Sequence, residues 1–226
     1  MSKPQKILTI VLWTLAVGGM VGLVAMKTIP AGTQMPTTDP SPAAAQVITD
    51  PVNSTDVELP VLYPAPSFTL LDQDGKNTSE TQLIGHPWIA DFIFTTCASL
   101  CPRMSGEMEH LQDELPPDVK LVSFSVDPKN DTSPVLKAYA DEHHAQPHRW
   151  IFLTGDEKIQ ERVVRAMKLG FAPASAGIPI QHDEHFVLID SHGQIRGFYD
   201  SFVPDQMDEL VRDATSLSEN PNGAGQ

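Results

Sequence analysis

A run of twenty uncharged residues, Ile7–Met26 (ILTIVLWTLAVGGMVGLVAM), dominates the hydrophobic pattern at the start of the chain. A helix of that length rises about 30 Å, the hydrocarbon thickness of a bilayer, so the run predicts a membrane anchor within residues 1–27. Apolar periodicity then stops. Thr28–Pro60 carries six prolines (Pro30, Pro36, Pro40, Pro42, Pro51 and Pro60), many Thr, Ser and Ala residues, and no Lys or Arg. Such a stretch buries too little apolar surface to offset its ordering entropy, and residues 28–60 are expected to be a disordered tether.

Periodicity returns from Val61 to Thr215, which predicts one globular domain over 61–215. Ser67–Leu71 followed by Asp74-Gly75 predicts a short strand and tight turn. Trp88–Phe94 (WIADFIF) predicts a buried strand, and Met104, Met108, Leu111 and Leu115 recur at helical spacing after Cys101. Val119–Val126 is the next expected strand, and Ser133–His144 the next helix, opening on Ser133-Pro134. Trp150–Leu153 predicts a strand and Asp156–Leu169 a helix. His185–Ile189 and Gln194–Tyr199 flank Asp190-Ser191-His192-Gly193 as a hairpin, Pro204–Thr215 closes with a helix, and residues 216–226 are expected to be a flexible tail. Alternating strands and helices that end in a hairpin plus helix imply an α/β fold with a mixed sheet flanked by helices.

Charge sharpens this division. The first 27 residues hold Lys3, Lys6 and Lys27 and no acid; the remainder holds 12 basic and 29 acidic residues, a net of −17. A basic start before an apolar run favours the N-terminus inside and the acidic bulk outside. A cleavable signal peptide also begins basic, but its apolar core is usually shorter and no convincing small-x-small cleavage site precedes Lys27. With the run beginning at Ile7, no mitochondrial presequence is expected, so a single pass through a bacterial inner membrane, with the domain in the periplasm, is the predicted location. The formal net charge of −14 argues against nucleic acid as a partner, because phosphate neutralisation needs surplus Lys and Arg. Two cysteines exclude a disulfide-dense scaffold and a four-cysteine zinc or iron–sulfur site.

Those two cysteines carry the sharpest local signal, Phe94-Thr-Thr-Cys97-Ala-Ser-Leu-Cys101-Pro102. A buried strand ends and two thiols follow, four apart, where a helix begins, a spacing that lets both sulfurs point to one spot. A helix N-terminus stabilises negative charge, which is expected to lower a thiol pKa there. Thiolates are nucleophiles and soft metal ligands, so the motif suits disulfide exchange, copper binding or both; a structural disulfide and two buried cysteines are the plainer alternatives. Of the eight histidines, His182 precedes a strand and His185 is expected on that strand's opposite side. His86, His143, His144 and His148 are expected in solvated loops, and His110 on a helix face toward water. Met104 and Met108 read as core and not as thioether ligands, and Asp127 reads as a turn residue.

Four segments, taken in order, resemble the Sco (SenC) family: Phe94-Thr-Thr-Cys97-x-x-x-Cys101-Pro102; Ser125-Val126-Asp127-Pro128 with Asp131-Thr132; Trp150-Ile-Phe-Leu-Thr154-Gly155; and His182-x-x-x-Phe186-Val-Leu-Ile-Asp190-x-x-Gly193-x-Ile195-Arg196-Gly197. The resemblance covers about 60–215. It implies a thioredoxin-like fold tethered by one transmembrane helix, and copper, Cu(I) or Cu(II), held by Cys97, Cys101 and His182. His182 stands six residues before Leu188, as the family's ligand does before the matching apolar position; His185 does not. It also implies delivery of that copper to the dinuclear CuA centre in the copper-binding subunit of cytochrome c oxidase, with other periplasmic copper or thiol-redox proteins as further partners. As an alternative, the same cysteines would act in thiol–disulfide exchange, Cys97 attacking and Cys101 resolving. Ala98, Ser99 and Gln181 depart from the common pattern, where Pro, Asp and Asp are frequent.

Overall fold

The computed structural model describes residues 59–98, 100–172, 180–182 and 184–221, with only the backbone of Phe171, Gln181 and His182. The expected anchor, nearly all of the tether and the last five residues lie outside the described residues. Among the described residues, no helix is long and apolar enough to cross a membrane.

The strands are β1 (Tyr63–Pro64), β2 (Thr69–Asp72), β3 (Asn77–Ser79), β4 (Trp88–Ile93), β5 (Lys120–Ser125), β6 (Trp150–Thr154), β7 (Phe171–Ala172), β8 (Gln181–His182), β9 (His185–Ile189) and β10 (Gln194–Asp200). The α-helices are α1 (Leu100–Glu114), α2 (Ser133–Glu142), α3 (Glu157–Ala166) and α4 (Pro204–Glu219). Eight strands form one mixed sheet in the order β1-β10-β9-β4-β5-β6-β2-β3, and β7 pairs with β8 in a separate antiparallel ribbon. β4, β5 and β6 run parallel, while β9 is antiparallel to β4 and β2 to β6.

Every residue of β4 is buried, which is why WIADFI reads as a continuous apolar run broken only by Asp91. On one face Phe92 stacks on Phe124 at 5.4 Å, and Phe68 meets Phe124 edge-on at 5.1 Å. On the other, Asp91, Ser123 and Phe152 stand in register across β4, β5 and β6. Tyr139 of α2 lies against Phe152 and hydrogen-bonds Ser105 of α1 at 2.8 Å, so α1 and α2 cover that second face. Two successive crossovers that step in one direction across a parallel sheet place both helices on the same side. Met104 and Met108 are fully buried, as core positions should be.

Two turns and one helix cap follow their residues closely. Gly75 and Gly193 adopt φ of 76°, the left-handed conformation that tight turns require. Asp156 caps α3 by accepting from the N–H groups of Lys158 and Ile159. α4 continues to Glu219, four residues past the expected end, because Leu217 extends the buried Leu210 and Ala214 stripe. The short strands β1, β3, β7 and β8 have too few residues to produce a periodic signal, and sequence reasoning missed them. His143 was expected in solvent; its ring lies 4.5 Å from that of Tyr139, and burial lowers its pKa.

Candidate dithiol and metal site

The chain leaves β4 at Ile93 and turns at once. Cys97 N–H donates to Phe94 O at 3.1 Å, closing a four-residue turn with Thr95 and Thr96 at its centre. Cys97 therefore lies outside the helix, half-buried on the turn, while Cys101 lies inside the first turn of α1 and is fully buried. The two cysteines do not share a helix face, as their spacing had suggested. They meet instead across the helix start, where Cys101 N–H points at Cys97 Sγ, 3.5 Å away. One orphan donor of the helix N-terminus is thus directed at a sulfur.

The expected fall in thiol pKa does not hold for Cys101. Burial pushes its pKa upward, well above the ordinary thiol range; Cys97 and Asp91 add to the rise, and a backbone contact with Phe94 offsets part of it. Desolvation outweighs the helix terminus because this sulfur sits in the core and not at the helix mouth.

Asp91 lies beneath this site, fully buried, and neither carboxylate oxygen has a hydrogen-bond partner among the described residues. Burial pushes its pKa up to about 7; the Ser123 hydroxyl beside it in register and its own backbone N–H, near it but outside hydrogen-bond geometry, offset only part of that rise. The Ser123 hydroxyl accepts from Trp150 Nε1 at 2.9 Å. A lone acid in an apolar strand was visible in the sequence, but nothing there showed that it sat under the cysteines.

His182 belongs to β8, its backbone paired with Phe171. Because β9 runs antiparallel to β4, the start of β9, just after His182, lies toward the end of β4 that leads to Cys97. A chain of contacts joins the two segments: the Arg103 guanidinium stacks 4.0 Å over the Phe202 ring, and the neighbouring Ser201 N–H donates to Glu184 O at 3.2 Å. Among the described residues no three His, Cys, Asp or Glu side chains converge on a metal position. His185 is half-buried at the head of β9. His110 is exposed, as expected, and Asp127 closes its turn by accepting from Asn130 Nδ2 at 2.6 Å. Two sulfurs held together at a strand end form a donor set that suits a soft, low-coordinate ion such as Cu(I).

A mixed sheet flanked by helices, with paired thiols at the junction of a central strand and the following helix, defines a thioredoxin-like dithiol protein. The SCO1/SenC family model matches residues 63–217, and the chain belongs to that family. It is 34% identical over 178 residues to the SCO1 protein homolog of Bacillus subtilis, covering 76% of this chain and 88% of that one. Among solved structures it resembles BsSco, described with a disulfide switch as a member of the Sco family of cytochrome c oxidase assembly proteins. That match has a TM-score of 0.63 and 34% identity, and covers 72% of this chain and 98% of that one. It also resembles Arabidopsis thaliana ScoI with copper bound, with a TM-score of 0.59 and 26% identity, covering 66% of this chain and 96% of that one.

Proposed function

We propose that this protein is a membrane-tethered copper metallochaperone that carries copper as cargo on Cys97, Cys101 and His182. In this reading it delivers the ion to the CuA centre of cytochrome c oxidase from the periplasmic face of a bacterial inner membrane. The observation that carries the reading is the pairing of Cys97 with Cys101 across the turn that ends β4. Two thiolates and one imidazole match the soft character and low coordination number of Cu(I). The copper-bound state of one family member and the oxidase-assembly role attached to another support the same reading. The contacts from Arg103 through Phe202 and Ser201 to Glu184 join α1 to the segment that carries both His182 and His185, and the choice of His182 as the third ligand rests on the family resemblance. Thr28–Pro60 serves as the tether that lifts the domain from the bilayer.

The test is a Cu(I) titration of the reduced domain against a competing chelator. A single copper should bind, and His182→Ala should weaken it far more than His185→Ala does. Equal losses from the two substitutions would overturn the ligand assignment.

A second reading, thiol–disulfide exchange on client cysteines, draws support from the unequal exposure of the pair. Half-buried Cys97 is placed to attack, and buried Cys101 to resolve the mixed disulfide. In that case His182→Ala leaves exchange intact.

A further inference from the structure

The four-residue turn carrying Cys97 is gripped by one carboxylate from a distant loop. Asp131, fully buried, accepts from Thr95 N–H with both oxygens at 3.2 Å, and from the Thr95 hydroxyl at 2.5 Å. Its Oδ2 also accepts from the Ser125 hydroxyl at 2.6 Å. Ser125 is the last residue of β5, and the next residue, Val126, donates its N–H to Ile93 O at 2.8 Å, extending the pairing to the end of β4. Asp131 is itself fixed at the close of a turn, with its N–H on Asp127 O at 2.9 Å, immediately before Thr132, the N-cap of α2. One side chain thus ties together the Cys97 turn, the end of β5 and the start of α2.

A carboxylate can accept several hydrogen bonds at once, and using those acceptors offsets much of the cost of burying it. Thr95 is the residue after Phe94, whose carbonyl Cys97 closes upon, so holding Thr95 by backbone and hydroxyl together fixes the turn's orientation. That orientation decides where Cys97 Sγ lies relative to the Cys101 N–H.

We propose that Asp131 is the positioning residue of Cys97. By clamping Thr95 it holds the turn so that the two sulfurs can close on one atom, whether a copper ion or each other. This inference rests on the reading of Cys97 and Cys101 as a functional pair, and it adds a residue that touches neither sulfur. Its contribution is preorganisation: a turn held in place loses less freedom when the pair closes, so it raises the effective concentration of one sulfur at the other. The Thr95 and Ser125 hydroxyls are donors to Asp131, and each can rotate to accept instead. An asparagine at 131 therefore retains most of the clamp without its charge, whereas an alanine retains none of it.

The test is the thiol–disulfide equilibrium of the pair with glutathione, which needs no copper. In forming the Cys97–Cys101 disulfide, the two thiols give up two electrons and two protons. One glutathione disulfide takes them up and becomes two glutathione thiols. Asp131→Ala should lower the equilibrium constant for closing the disulfide at least about tenfold, equivalent to about 30 mV. Asp131→Asn should recover it to within about threefold, and Thr95→Val, which deletes one donor and spares the carboxylate, should lower it about threefold. Circular dichroism and a cooperative melt establish that each variant is folded.

A folded Asp131→Ala protein with an unchanged constant would overturn the inference. So would an asparagine variant as impaired as the alanine one, since charge and not the clamp would then be responsible. Should the alanine variant fail to fold, an unchanged constant in Thr95→Val overturns it equally. If the unsubstituted protein forms no Cys97–Cys101 disulfide at all, the reading of the pair itself fails, a result distinct from any of these.

Discussion

Arg103 lays its guanidinium 4.0 Å over the ring of Phe202. Arg103 lies two residues beyond Cys101 on α1, and Phe202 lies in the turn whose neighbour Ser201 holds Glu184, two residues beyond His182. The stacked pair and that hydrogen bond therefore couple the cysteine segment to the histidine segment. A cation–π pair at a partly exposed site contributes about 0.5–1 kcal/mol, or roughly two- to fivefold in an equilibrium constant. Phe202→Ala should weaken Cu(I) binding by that factor while leaving disulfide closure between Cys97 and Cys101 unchanged. A chelator competition series alongside the glutathione equilibrium reads both; unchanged copper binding would separate Phe202 from the site.

Asp91 should impose a pH dependence on stability. Its pKa is about 7 in the folded protein because of burial, against about 3.9 in an unfolded chain. Between those values the folded state holds a proton that the unfolded state has released, so stability falls as pH rises and levels off above 7, by about 4 kcal/mol in all. Asp91→Asn removes that slope. In denaturant titrations at pH 5 and pH 8, the variant should gain at least about 2 kcal/mol on the unsubstituted protein between the two conditions. Parallel pH profiles for the two proteins would contradict this.

Arg196 and Asp190 form a buried ion pair at 2.8 Å, their side chains 1% and 2% exposed. The same guanidinium donates from Nε to Pro60 O at 3.1 Å and from Nη2 to Leu59 O, fixing the first described residues to β10. Asp190 also accepts the N–H groups of His192 and Gln194 within the β9–β10 turn. Removing one member of a buried pair leaves the other charge uncompensated, at a cost of about 3–5 kcal/mol. Arg196→Ala should lower stability by that amount in chemical denaturation. A loss below about 1 kcal/mol would show that the pair merely offsets its own desolvation.

Gly197 follows the irregular register between β10 and β9, and a Cβ there would fall 2.6 Å from the Tyr199 hydroxyl. Tyr199 is held in place by donating to Asp213 Oδ2 at 2.5 Å, so its ring is not free to move aside. Gly197→Ala should therefore cost about 1–3 kcal/mol by overpacking. The accompanying fall in melting temperature is about 2–12 °C for a domain of this size. An unchanged melting temperature would mean that the ring yields without loss.

Much of the fold was legible because its period is strong. Trp88–Ile93, α1 and the β9–β10 hairpin fall close to their expected limits, since each buries a continuous or periodic apolar set. The apolar run Ile7–Met26 and all of the proline-rich stretch but Leu59 and Pro60 lie outside the described residues. The two cysteines stand out in the sequence because thiols after a buried strand are chemically conspicuous, whereas His182 is singled out only by the family resemblance, through its offset from Leu188.

The remainder required three dimensions. Sequence by itself determined the alternation of elements, the position of the dithiol at a strand–helix junction, and the four segments that mark the family. Only the tertiary structure decided that Cys97 stands outside α1 and Cys101 inside the core, which reverses the expected direction of the Cys101 pKa. Only packing could show that Asp131, 36 residues beyond Thr95, grips the turn that aims Cys97. Local patterns encode backbone conformation and the buried face of each element; which side chains meet across the sheet depends on strand order and register, which no local pattern carries.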